Sequence, residues 1–150
     1  MKEKSKIYFF EPVIFLFFGI FHLHRIWGLV DRSGYAKFWL GIMNNRGVLY
    51  FVLMGILSAL CVAGIVVFVR NIGKNYLWRL VYIFGGGYLL FDLFAIAIKL
   101  NIWNSLLLMM FDTASIYWNI LWGMFILMGI LSGALGLHII KKMTRAKGLN

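Results

Sequence analysis

Four apolar runs, separated by short stretches that collect nearly every charge, set the architecture this sequence predicts. The second run, 48–69, is the cleanest. Its 22 residues carry no charge and include fourteen Leu, Ile, Val and Phe residues. At roughly −0.4 kcal/mol each, these favour bilayer insertion by about 6 kcal/mol. As a helix the run rises about 33 Å, enough to cross a hydrocarbon core of about 30 Å. The first run, 7–30, has Pro12 after Glu11 near its start, where a first helical turn tolerates proline. The third, 80–98, is interrupted only by Asp92; its eleven Leu, Ile, Val and Phe residues offset the roughly 3 kcal/mol cost of one central aspartate. The fourth, 114–140, meets no charge until Lys141. None of the runs alternates with period 2, which argues against a β-barrel. The pattern predicts one membrane domain over 1–150: an all-α integral membrane protein, a four-transmembrane-helix bundle.

Basic residues orient the bundle. Lys2, Lys4, Lys6, Arg70, Lys74, Arg79, Lys141, Lys142, Arg145 and Lys147 fall on one side, ten in all. Arg25, Arg32, Lys37, Arg46 and Lys99 fall on the other, five in all. The richer side is expected to be cytoplasmic, with both termini inside and the protein in the cell membrane. Tyr8, Tyr76, Trp78 and Tyr82 then mark the inner boundary, and Trp27, Trp39, Tyr50, Trp103, Tyr117 and Trp118 the outer one. The basic start followed by an apolar stretch has the form of a signal peptide. His22, His24 and Arg25 stand where a small-residue cleavage site would be, so an uncleaved first span is expected. Of the two external connectors, 31–47 contains Tyr35, Phe38, Trp39, Leu40, Ile42 and Met43, and 102–111 is almost wholly apolar. Both are expected to be amphipathic helices lying at the interface, or a lid over the bundle.

Composition strengthens the membrane reading. Hydrophobic residues make up 63% and charged residues 13% of the 150, beyond what a soluble fold of this size buries. The net charge of +10 is that of membrane flanks. No basic stripe with interleaved aromatics lies outside the apolar runs, so nucleic acid is not expected as a partner. The lone Cys61 forms no disulfide within the chain and sits where a small packing residue fits.

Polar residues inside lipid are costly unless they face protein or water, so they carry the functional signal. Glu11, His22 and Arg25 share one face of the first helix, within about 60°, whereas His24 points away. Asp92 and Lys99 lie two turns apart on the third helix, on a face that Tyr88 and Gly85 continue. On the fourth, Asp112, Ser115, Asn119 and Trp122 lead into Gly129, Gly133 and Gly136, a close-packing surface like Gly55, Ala59 and Ala63 of the second. With the N-terminus inside, His22, Arg25, Asp92, Lys99, Asp112 and Asn119 all fall in the outer half, and only Glu11 in the inner. They form the candidate binding cluster. The plain structural alternative is that Asp92 pairs with Lys99 or, better placed, with Arg25, fixing helix register.

Reaction chemistry finds little support. Bis-histidine haem needs two histidines at similar depth, but His22 lies in the outer half and His138 at the inner end. His22 and His24 lack a third zinc ligand nearby. The triple Gly85, Gly86, Gly87 sits inside an apolar run with no Lys-Ser or Lys-Thr after it, so it is not a phosphate loop. No cofactor or metal is expected, and the balance is against an enzyme. The leading expectation is a small polytopic protein acting through helix–helix contacts, as an accessory, interaction or immunity-type subunit. Its partners are the lipid bilayer and either further copies of itself or another membrane protein. The alternative is a small oligomeric transporter or channel using the outer cluster. A membrane enzyme or redox carrier on that cluster is the third reading.

Overall fold

The computed structural model describes residues 6–147, with side chains to 145. Lys2 and Lys4, which contribute to the basic asymmetry, lie outside the described residues, as does the side chain of Lys147. The described chain is helical, with no strand. Its elements are α1 (Glu11–Leu23), α2 (Ile26–Val30), α3 (Arg32–Asn45), α4 (Val48–Arg70), a 3₁₀ turn (Leu77–Arg79), α5 (Leu80–Ala97), α6 (Asn101–Met110) and α7 (Trp118–Lys147). Four helical segments are long and apolar enough to cross a membrane: Glu11–Val30, Val48–Arg70, Leu77–Ala97 and Trp118–Arg145. The described residues form two compact units, 41–109 together with Lys6, and 7–40 with 110–147.

In the unit built on 41–109, α4 packs against α5. The buried positions of α4, Tyr50, Leu57, Cys61, Gly64 and Val67, recur at three- to seven-residue steps along one face. Gly64 is needed there: a Cβ would stand 2.7 Å from the ring of Tyr82. The turn after α4 is closed by side chains, Asn71 Nδ2 donating to Val67 O at 2.7 Å and Asn75 Nδ2 to Phe68 O at 2.9 Å. Gly73 supplies the positive φ of 82° in that turn. Buried Arg79 donates to Lys6 O at 2.8 Å. Arg46 Nη2 donates to Ile96 O at 3.1 Å and Ala97 O at 3.0 Å, placing a cation on the last carbonyls of α5, where the helix dipole favours it.

In the other unit, α1 and α7 form the most extensive helix contact. It is made by small residues. A Cβ on Gly19 would lie 3.0 Å from Gly133 Cα, one on Gly129 2.7 Å from His22 Cβ, and one on Gly136 2.9 Å from Leu16 Cγ. Ser132 Oγ adds an interhelical hydrogen bond to Phe15 O at 2.8 Å. The apolar core above this seam is aromatic: Tyr35, Ala36, Trp118 and Trp122, with Trp39, Met110, Phe111 and Phe125 packed around it.

Two boundaries differ from the hydropathy pattern. The first span does not run as one helix from 7. It begins at Glu11–Pro12 and breaks after Leu23. The cause is local. Phe21 O, which Arg25 N–H would take in a continuous helix, accepts instead from the side chains of His24 and Arg25. Arg25 N–H turns to His22 O at 3.3 Å. The fourth helix starts at Trp118 rather than 114, because Asp112 Oδ1 accepts from Ala114 N–H and Ser115 Oγ from Tyr117 N–H, and such bonds compete with helix. It then continues past 140 through its basic end. Asp112 and Ser115 therefore lie before α7 and not on it.

Candidate functional site

The two units divide the predicted cluster: His22, Arg25, Asp112 and Asn119 lie in one, Asp92 and Lys99 in the other. The structure joins these six residues only in part. His22 and Arg25 touch, with Arg25 Nη1 3.0 Å from His22 Nδ1. Asn119 is engaged by a residue outside the predicted cluster: its Oδ1 accepts from Arg32 Nη2 at 2.9 Å, while Arg32 Nη1 reaches Thr113 O at 3.2 Å. Asp112 turns its carboxylate onto its own loop. Asp92 accepts from the indole Nε1 of Trp103 on α6. Lys99 terminates the α5 segment with φ 55°, and its amide donates to Ile96 O at 3.2 Å. Among the described residues of its unit, Lys99 forms no ion pair with Asp92.

The most developed polar site is therefore centred on Arg25. His24 and Arg25 keep helical backbone angles through the tightened turn, and the Arg25 side chain runs back along α1 as helical side chains do, so that Nη1 donates to Phe21 O at 3.2 Å and to His22 Nδ1. Arginine offers only donors, so His22 Nδ1 must accept, and the His22 ring carries its proton on Nε2. Three rings surround the guanidinium carbon, Phe125 at 4.7 Å, Phe21 at 5.5 Å and Trp122 at 5.6 Å. His22 stacks on Phe125 at 5.8 Å with 7° between planes. No carboxylate of this unit lies within ion-pair distance of Arg25 among the described residues. Its Nε is buried without a hydrogen-bond partner, and the same holds for Nε1 of Trp122 and of Trp39.

Beside this cage, His24 and Tyr35 tie α3 to α1. His24 Nδ1 faces Phe21 O and must donate to it, which leaves Nε2 to accept from the Tyr35 hydroxyl at 3.0 Å. Tyr35 is 1% exposed. Burial pushes its phenol up to about 12, against the opposing pull of Arg25. Asp31 caps α3, its Oδ1 accepting from Gly34 N–H at 2.8 Å.

Phe21, Tyr35 and Phe125 were not among the sequence candidates. A trace of the cage was present: Phe21 lies four residues before Arg25, and Trp122, Phe125 and Gly129 share a helical face that leads into the glycine seam. What pattern alone does not give is the rotation of α1 against α7 that brings Arg25 to that face. Comparison with known protein families, with curated proteins and with solved structures finds no match to this chain.

Proposed function

We propose that this is a non-enzymatic multi-pass protein of the cell membrane, with both termini cytoplasmic, that binds a polar ligand at the Arg25 site in the outer half of the membrane, as a small transporter or channel subunit would. One observation carries the reading. Arg25 is a charge placed among aromatic rings with no carboxylate of its own unit beside it among the described residues. Arg25 is half-buried, but its Nε is buried without an acceptor; a buried donor of a charged group left unsatisfied is costly, so it calls for a compensating partner. The ten-to-five distribution of basic residues supports the orientation. Native mass spectrometry of protein taken gently from its membrane tests the reading. Wild-type protein is expected to retain a small molecule that Arg25→Gln loses while keeping its helical circular dichroism. Retention by both forms, or by neither, would overturn it.

A second reading, an accessory or interaction subunit, draws on α4. Gly55 and Ala59 are exposed, and a Cβ on Gly55 would meet nothing within 4 Å. Small residues left open on a membrane helix suit close approach by another helix. If Ala59→Leu abolishes co-purification of a membrane protein while Arg25→Gln does not, this second reading takes precedence.

A further inference from the structure

We propose that the unpartnered edge of the Arg25 guanidinium, formed by Nε and Nη2, receives one anionic group with two oxygens to offer, a carboxylate or a phosphate. This rests on the ligand-binding reading above and names the chemistry of the ligand. The guanidinium has five N–H donors in a fixed plane. One side of it is engaged: Nη1 donates to Phe21 O at 3.2 Å and to His22 Nδ1 at 3.0 Å. The other side is not. Nε is buried without a partner, so a ligand reaches it only as the surrounding side chains shift, and Nη2 makes no hydrogen bond among the described residues. Nε–H and Nη2–H point in parallel, the spacing that a carboxylate or phosphate meets with two oxygens.

The surroundings select the same class. Phe125, Phe21 and Trp122 hold the guanidinium within 4.7–5.6 Å of their centroids, which fixes its plane and offers cation–π attraction but no acceptor for Nε. Trp122 is 2% exposed and its Nε1 also lacks a partner. Unsatisfied donors together with a positive charge exclude a cationic ligand and favour an acceptor-only one. His22 acts as a positioning residue, since its Nδ1 holds Nη1 and so sets the direction of the unpartnered edge.

Two sources supply this chemistry, a lipid headgroup and a soluble anion, and the experiment separates them. The ¹⁵N-labelled wild-type protein is placed in phosphatidylcholine nanodiscs, and the Arg25 Nε–H resonance is identified by its loss in Arg25→Lys. Sodium acetate and inorganic phosphate are titrated in. In parallel, phosphatidylglycerol replaces part of the phosphatidylcholine. A saturable shift of that resonance with acetate or phosphate assigns a soluble anion. A shift confined to phosphatidylglycerol assigns a lipid headgroup. Arg25→Lys keeps the charge but loses the paired donors, and should weaken the same binding by about tenfold, read as a change in protein thermal shift. No shift with any of the three probes overturns the proposal, as does full affinity in Arg25→Lys. If Arg25→Lys does not fold, Arg25→Gln identifies the resonance and the wild-type titration decides. A small molecule retained in an Arg25-dependent way, with no response to the anions, would leave the ligand-binding reading standing and sink this one.

Discussion

His22 Nδ1 and Arg25 Nη1 stand 3.0 Å apart across one turn of the broken first span. The contact makes the imidazole an acceptor and holds the guanidinium in the aromatic cage. Hydrogen bonds to a charged group contribute about 1.5–3 kcal/mol. His22→Ala should therefore lower detergent stability by an amount near the lower end of that range. His22→Gln, whose amide oxygen can accept, should recover part of it. Thermal unfolding of both variants checks this; equal loss in the two would mean that ring stacking on Phe125 is the whole of His22's contribution.

The glycines of the α1–α7 seam are not equivalent. A Cβ on Gly19 would press on the backbone of Gly133 and Gly129, at 3.0 and 3.1 Å, but a Cβ on Gly133 would meet nothing within 4 Å. Overpacking a tight contact costs about 1–3 kcal/mol. Gly19→Ala should fall in that range, and Gly133→Ala should be close to neutral. Denaturation midpoints of the two variants compare them directly. A larger loss at Gly133 would show that the helices meet at a different rotation.

Hydropathy made the four long apolar helices legible, because bilayer insertion depends on summed transfer energies that need no tertiary information. The small residues of the fourth run were legible for the same kind of reason, since close approach needs glycine at fixed steps. Depth was the limit. It grouped Arg25, Asp92, Asp112 and Asn119 by level in the membrane, but partners depend on local turns and on helix rotation. Asp112 bonds within its own loop. Asn119 takes Arg32, and Asp92 takes Trp103. Pattern also did not show that Phe21 O is taken by the side chains of His24 and Arg25, or that Arg25 meets Trp122 and Phe125 of the facing helix.

The orientation is tested with single cysteines in a Cys61→Ala background. Cysteine at Ser33 or Asn104 should react with a membrane-impermeant maleimide in intact cells. Cysteine at Asn71 or Thr144 should react only after permeabilisation. The reverse pattern would turn the protein over and put the Arg25 site in the cytoplasmic half.

Tyr35 gives a pH signature. Burial raises its phenol to about 12, above the ordinary value of about 10. Below about pH 10 the phenol is protonated both folded and unfolded, and stability is unaffected. Between about 10 and 12 the unfolded chain releases this proton and the folded chain keeps it, so stability falls as pH rises through that window. Tyr35→Phe should remove this part of the alkaline loss. At neutral pH it should cost about 1 kcal/mol for the hydrogen bond to His24. Unfolding midpoints at pH 7, 9 and about 11 give both quantities. An alkaline slope unchanged in Tyr35→Phe would mean that other groups set it.

Asp92 is the one carboxylate inside the 80–97 helix, and its partner is the indole of Trp103. The pair joins α5 to α6 across the short turn of Ile98, Lys99 and Leu100, where Lys99 takes its positive φ. Inside an apolar span a carboxylate is tolerated only with a donor or water near it. Trp103→Phe removes the donor, keeps most of the ring, and leaves Asp92 without the indole. It should cost about 1–3 kcal/mol. Asp92→Leu removes the acceptor and leaves an indole N–H that can turn toward the membrane interface, where tryptophan is at ease. That change should cost less. In the double variant neither polar group is stranded, so its loss should be smaller than the sum of the two single losses. A double-mutant cycle on unfolding free energy in one detergent measures the difference. Additive losses would mean that the indole and the carboxylate do not depend on each other, and that Asp92 is stabilised by water or by another donor.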